Sequence, residues 1–187
     1  GEPMCLPINE AHPTNPVEVY SRSKKDAEDL LLSELTSIKK TIIVRLFNTF
    51  GPKQNEFMII PKILNKLKRS RTIEIKNFYS SRDFTFISDM VNGNFLAGLN
   101  GRNREIYNLG SGNETSIKNL IHTIKDILKI DFSVVIKNLD YVSHNTVKRS
   151  QADITKAKKE LLWRPISSLK DGLILTSKIL GLPVDLN

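Results

Sequence analysis

The sequence predicts an α/β fold with an at least partly parallel sheet, and two observations carry that prediction. Short runs rich in β-branched and aromatic residues, namely TIIVRLF, TIEIK, FTFI, EIYNLG and FSVVI, have the length and composition of strands. Between them lie longer stretches whose apolar residues recur at helical spacing. Strands alternating with helices place the chain in the α/β class. No internal repeat or low-complexity linker breaks the alternation.

Taken in order, residues 1–19 read as an irregular loop, because Pro3, Pro7, Pro13 and Pro16 remove amide donors and disfavour helix just before them. From about Tyr20 to Ile38 the spacing of Tyr20, Lys24, Ala27, Leu31 and Leu35 suits one helix face. Leu30 and Leu32 widen its apolar surface, so this helix is expected to be covered on more than one side. TIIVRLF then reads as a buried strand followed by the turn NTFGP. MIIPKILNKLKR, TIEIK and NFYSS follow as helix, strand and loop. After FTFI, Ser88 or Asp89 can cap a helix reaching about Leu99, and EIYNLG is a strand ending in glycine. Thr115 or Ser116 opens a helix to about Lys129, with FSVVI beyond it. ADITKAKKELLW and SSLKDGLILTSKIL are expected as two helices joined by a turn at Pro165.

The 187 residues, 40% of them hydrophobic, suffice for one large domain or for a piece of a larger protein. No apolar run approaches bilayer length, and the opening GEPMCLPINEAHP lacks the basic-then-apolar pattern of a signal peptide. The expectation is a cytoplasmic protein with no membrane partner. The single cysteine, Cys5, has no intrachain disulfide partner and stands in no nucleophile or metal-ligand signature, so no metal is expected. The net charge of +8 invites a nucleic-acid reading. Yet no finger, RNA-binding aromatic signature or basic arm is present, and Lys62, Lys66, Lys68, Arg69 and Arg71 read as a solvated helix face and its exit. Nucleic acid is therefore not an expected partner.

The stretch VEVYSRSKKDAEDLL carries the first candidate chemistry. Tyr20 and Lys24, four residues apart, share a helix face, and an ammonium beside a phenol favours the phenolate that a proton acceptor needs. A Tyr-x-x-x-Lys spacing also occurs by chance, leaving an aromatic on a helix as the bland alternative. GSGNETS at 110–116 follows a strand and opens a helix, but with two glycines it favours a tight turn over a phosphate cradle.

The context of the pair adds to this. NEAHPTNPVEVYSRSKKDAEDLL resembles the segment around the active-site tyrosine of the extended short-chain dehydrogenase/reductase family, specifically its NAD-dependent nucleotide-sugar epimerases and dehydratases. RLFNTFGPKQ, SSRDFTFISDMVNG, EIYNLGSGNETSIKNL and ADITKAKKELLWRPISSLKDGL resemble further blocks of that family in the same order, across nearly the whole chain. The resemblance implies the C-terminal part of a doubly wound, Rossmann-like parallel sheet plus a smaller α/β substrate-binding domain. Residues 1–52 would belong to the NAD-binding domain and 53–187 mainly to the substrate-binding domain, with 84–109 returning to the Rossmann sheet.

It further implies NAD or NADP as cofactor and a nucleotide-diphosphate sugar as substrate, processed by transient hydride transfer. Tyr20 matches the proton-transfer tyrosine and Lys24 the lysine that also holds the nicotinamide ribose. Phe47 and Asn48 match backbone near the nicotinamide, with Asn48 also facing the substrate diphosphate. Arg82 matches an arginine pairing with that diphosphate, for which a planar guanidinium is suited; an ion pair with the adjacent aspartate is its alternative. Ile59 and Ile117 match positions lining the nucleotide base and are equally well explained as core. A homodimer through the Tyr20–Ile38 helix is also implied. Epimerases, dehydratases and reductases all share this pattern, and a non-catalytic module of the same fold is the alternative from another class.

The sequence departs from the family in three places. Ser143, His144, Asn145 and Thr146 stand where a diphosphate-binding arginine is usual, with His144, Lys148 or Arg149 as substitutes or ordinary surface residues. NFYSS replaces a Gly-Asp-Gly loop. The family's Gly-rich cofactor turn and a catalytic Ser or Thr lie ahead of the position matching Gly1, so the chain is expected to be the C-terminal portion of a larger enzyme.

Overall fold

The computed structural model describes residues 1–33, 40–137 and 147–184. Its elements run, in chain order, α1 (Val19–Ser33), β1 (Ile42–Leu46), β2 (Asn48–Phe50), α2 (Ile59–Leu67), β3 (Thr72–Ile75), β4 (Ser81–Phe86), α3 (Ile87–Asn100), β5 (Glu105–Leu109), β6 (Glu114–Ser116), α4 (Ile117–Leu128), β7 (Ser133–Ile136) and α5 (Leu169–Ile179). A π-helical turn over Ala157–Leu161 stands where ADITKAKKELLW predicts an α-helix.

The β-branched runs pair in parallel, as the α/β class requires. β1 lies beside β5 with Ile42 opposite Glu105 and Leu46 opposite Leu109. β2 lies parallel to β4, and β3 parallel to β7. β6 joins the other side of β4 antiparallel, Ser81 opposite Ser116. Only Phe47 separates β1 from β2, so one extended segment leaves the first sheet and enters the second. The Phe47 amide still donates to the Leu109 carbonyl at 2.9 Å. NTFGP, expected as a turn, is thus partly strand, because Asn48, Thr49 and Phe50 find partners in Phe84, Thr85 and Phe86.

Two apolar cores hold these layers. In the larger, α2 buries Ile60, Ile63, Leu64 and Leu67 and α4 buries Leu120, Ile121, Ile124, Ile127 and Leu128, the one-sided pattern their spacing predicts. Phe50, Phe84 and Phe86 pack with them, Phe50 meeting Phe86 edge-on with ring centroids 5.5 Å apart. Gly172 of α5 lets that helix close on the two rings: a Cβ there would stand 2.6 Å from Phe50 and 2.7 Å from Phe86. In the smaller core, Met90 and Ala97 of α3 pack with Tyr107, Leu109, Ala152, Ile154, Leu161 and Trp163. Each fully buried aliphatic side chain stabilises the fold by about 1.5–3 kcal/mol relative to its exposed state.

Two element expectations are corrected and one is met. α1 has no buried residue, and Leu30 is 53% exposed, so the helix is not covered on more than one side; residues 34–38 of the expected span lie outside the described residues. The start of α3 is not capped by Ser88 or Asp89, since the Phe86 position precedes it without a side-chain cap. Asp89 is instead buried, accepting from the Ile166 and Ser167 amides at 3.2 and 2.9 Å and so tying α3 to the segment before α5. Ser116 does cap α4, its hydroxyl accepting from the Asn119 amide at 3.1 Å.

Candidate active site

β1 and β5 run parallel until Phe47, where β1 departs to pair with β4. In open α/β sheets the crevice at the carboxyl ends of diverging strands is where ligands bind. A cavity of about 350 Å³ lies there, lined among others by Arg45, Phe47, Asn48 and Asn108. A second, of about 320 Å³, is lined by Tyr20, Lys24, Glu28, His12 and Arg45. Gly1, Pro3, Ile8 and Arg45 belong to both walls, so the two cavities adjoin. The sequence-expected residues Tyr20, Lys24, Phe47 and Asn48 therefore line two adjoining cavities.

Tyr20 and Lys24 sit on the same side of α1, with the ammonium 5.6 Å from the phenol ring centroid. The phenol is 70% exposed, open to a ligand rather than enclosed in hydrocarbon. Tyr107 shows the opposite environment. Burial pushes its phenol up, the Arg102 amide opposes that shift, and Glu160, which accepts from the hydroxyl at 2.8 Å, raises it further. Tyr107 is a core residue of β5, whereas Tyr20 is available for chemistry.

The floor of the region is built by the N-terminal loop. His12 accepts from the Met4 amide at 3.0 Å through Nε2, and its Nδ1 lies 2.8 Å from the Pro13 carbonyl, which holds residues 4–13 in a compact turn. Asn108 donates to the Ile8 carbonyl at 2.9 Å, and its amide donates to the Glu10 carboxylate at 2.8 Å. Arg45 donates through two nitrogens to Glu28 of α1 and through a third to the Glu10 carbonyl at 3.0 Å. The hydrogen bond to Glu28 raises the Arg45 pKa, with burial opposing. No sequence expectation singled out Arg45 or Glu28. The signal available was Glu28 standing one helical turn after Lys24, and Arg45 two residues before Phe47.

Arg82 is partly buried, and burial pushes its pKa down, with a weaker opposing pull from Glu2. The adjacent Asp83 does not pair with it. Asp83 is fully buried and accepts from the Ser111 amide at 2.6 Å, the Ser111 hydroxyl at 2.7 Å, the Gly112 amide at 2.9 Å and the Ala152 amide at 3.0 Å. Arg82 donates only to the Ser81 and Lys148 carbonyls, at 2.7 and 3.3 Å, and has no carboxylate partner among the described residues. A desolvated guanidinium without an anion is suited to binding one.

The same contacts decide the glycine turn. The Ser111 and Gly112 amides of GSGNETS already serve Asp83, so the turn is structural and not a phosphate cradle. Two apolar expectations separate. Ile117 is only 4% exposed and belongs to the larger core, as its core alternative expects; Ile59 is partly buried against that core. Of the candidates to replace the missing arginine, His144 lies outside the described residues. Arg149 is engaged by Glu114 at 2.8 and 2.5 Å, and Lys148 takes part through its backbone, donating to Glu2 at 2.6 Å. No group of His, Cys, Asp or Glu suited to a metal occurs among the described residues, and no described helix is long and apolar enough to cross a membrane.

A family model described as GDP-mannose 4,6 dehydratase matches residues 1–176. A protein of Methanocaldococcus jannaschii assigned as a UDP-glucose 4-epimerase is 34% identical over 179 residues, covering 92% of this chain and 56% of that protein. UDP-glucuronic acid decarboxylase 6 of Arabidopsis thaliana is 30% identical over 184 residues, covering 94% of this chain and 52% of the relative. Among solved structures, UDP-glucose 4-epimerase of Thermotoga maritima with UDP-glucose superposes with a TM-score of 0.88 at 28% identity, covering 97% of this chain and 59% of that one. A Pseudomonas aeruginosa structure complexed with NADPH has a TM-score of 0.83 at 24% identity, covering 93% and 60%, a likeness of fold. The chain spans about half the length of the curated relatives it matches.

Proposed function

The chain belongs to the GDP-mannose 4,6-dehydratase family of NAD-dependent nucleotide-sugar epimerases and dehydratases, and from that membership we propose that Tyr20 and Lys24 form the proton-transfer pair for a nucleotide-diphosphate sugar. The observation carrying the proposal is the exposed Tyr20 phenol beside Lys24, opening into a cavity that adjoins the one lined by Phe47 and Asn48. NAD or NADP, when bound, supplies reversible hydride transfer at a ring carbon of the sugar.

The residues present fit the nicotinamide-ribose end of such a cofactor. Lys24 offers a donor to the ribose, and Phe47 and Asn48 line the neighbouring wall. The glycine turn 110–116 does not fit the cofactor's diphosphate, since Asp83 already holds its amides. Tyr20 Oη accepts the proton of the sugar hydroxyl as that hydroxyl is oxidised and returns it when the carbonyl is reduced. The Lys24 ammonium, 5.6 Å from the ring centroid, places a positive charge on the same face as the phenol. Arg82 pairs with the substrate diphosphate in place of a carboxylate, and Asn48 faces the same group. Assignment of 1–52 with 84–109 to cofactor binding and of the rest of 53–187 to substrate binding belongs to this proposal.

A homodimer through α1 is a further part of it, supported by the exposure of Val19 and Leu30 on that helix. Sedimentation as a monomer at micromolar concentration contradicts that part alone. The central test is Tyr20→Phe, assayed with NAD(P) and UDP-glucose or UDP-glucuronic acid. Turnover falls by about a thousandfold or more while nucleotide-sugar affinity is retained. Turnover at the wild-type rate refutes the assignment.

A further inference from the structure

α1 carries the proposed proton-transfer pair, yet none of its residues is buried and it belongs to neither apolar core among the described residues. Apart from those between Ser21 and the adjoining Glu18, the side-chain hydrogen bonds from α1 to other described residues are those that Glu28 accepts from Arg45, at 2.9 Å from Nε and 2.7 Å from Nη2. Two parallel donors to one carboxylate fix orientation as well as distance, which a lysine at the same place does not do.

Other ion pairs differ from this one. Lys25–Asp29, Lys125–Asp131 and Lys137–Glu74 each have a side chain more than half exposed, at 58%, 98% and 56%. Such pairs contribute little. In Arg45–Glu28 the side chains are 23% and 19% exposed, and breaking a partly buried pair leaves a poorly solvated charge behind. Arg45 is also tied to the N-terminal loop through the Glu10 carbonyl, and Glu10 in turn holds the Asn108 amide of β5.

We propose that the Arg45–Glu28 pair is a positioning device, which sets the Tyr20–Lys24 face of α1 against the strand segment carrying Phe47 and Asn48. Glu28 lies one turn beyond Lys24, and Arg45 lies two residues before Phe47, so the pair spans the shortest covalent route to both walls of the region. Neither residue contacts the reacting atoms in this account. The functional consequence rests on the reading of Tyr20 as the proton acceptor; the geometric claim does not.

The test uses the full chain with Glu28→Ala and Arg45→Ala, with Asp29→Ala as an exposed control and Arg45→Lys should Arg45→Ala fail to fold. Backbone hydrogen exchange is expected to speed up tenfold or more over residues 19–33 in the Glu28 and Arg45 variants, with α4 amides unchanged and the Asp29 control close to wild type. In steady-state assays with NAD(P) and a nucleotide sugar, kcat falls about 10–100-fold while KM stays within about threefold, because misplacement by about 1 Å impairs the chemical step more than ligand capture. Arg45→Lys, keeping the charge without the fork, falls between. Unchanged exchange across 19–33 overturns the inference, as does a loss carried wholly by KM. If wild-type chain turns over no nucleotide sugar, or Tyr20→Phe is fully active, the reading of Tyr20 fails, and the exchange result alone decides the positioning role.

Discussion

Replacing Asp83 with Asn tests how the glycine turn and β4 are held together. The Asp83 carboxylate is fully buried and accepts through both oxygens: Oδ1 from the Ser111 amide and hydroxyl, Oδ2 from the Gly112 and Ala152 amides, all between 2.6 and 3.0 Å. Asparagine keeps the shape but turns one acceptor into a donor. Whichever way the amide is flipped, its NH2 meets at least one backbone amide donor, so at least one hydrogen bond is lost outright and the others lose their charged partner. Hydrogen bonds to a charged partner contribute about 1.5–3 kcal/mol each, and buried donors left unsatisfied add their own cost. The sum gives an expected loss of about 3–5 kcal/mol. Urea unfolding followed by the fluorescence of Trp163, the single tryptophan and 1% exposed, reads this as a fall in midpoint at constant slope. A loss below about 1 kcal/mol refutes the reasoning that these amides depend on Asp83.

Other predictions follow from the same contacts. Arg82→Ala weakens nucleotide-diphosphate binding about 10–100-fold in a calorimetric titration, and an unchanged affinity removes Arg82 from the proposed site. Gly172→Ala gains about 1 kcal/mol of helix propensity but drives a Cβ to within 2.6 Å of the Phe50 ring, a close approach that costs about 1–3 kcal/mol. With two packed rings in the way the clash wins, so a rise in the urea midpoint counts against that packing. For pH, the Arg149 hydrogen bond holds the Glu114 carboxyl below its usual range, burial opposing and the Ser81 hydroxyl assisting. A depressed folded pKa contributes stability that is full above the unfolded value near about 4.3 and is lost as pH falls through the folded value. Glu114→Gln therefore flattens the acid limb of the stability curve, and an unaltered limb contradicts this attribution.

Much of the fold was legible because its signals are local. The β-branched runs became parallel strands, and the apolar spacing of α2 and α4 matched the face each buries. The misreadings came from contacts distant in sequence. Asp83 meets Ser111 and Ala152 across separations of 28 and 69 residues, so nothing in SSRDFTF marks the aspartate as the anchor of a remote turn. Asp89 reads as a helix cap until segment 163–168 folds back to claim it. The leucines of α1 suggest a covered helix, but Leu30 is 53% exposed and an ion pair does the docking. In the candidate site, Tyr20, Lys24 and Arg82 were all expected from the surrounding motifs, and what only the structure supplies is that Asp83 faces away from Arg82.

The most direct measurement labels tyrosine rings with 13C, assigns Tyr20 through Tyr20→Phe, and titrates NAD(P) and then a UDP-sugar into the full chain. The Tyr20 ring resonance should move on saturation while the core residue Tyr107 stays fixed. Ligand binding that shifts other resonances and leaves Tyr20 in place would contradict the claim that the cavities beside α1 and β1 form a single reaction cleft.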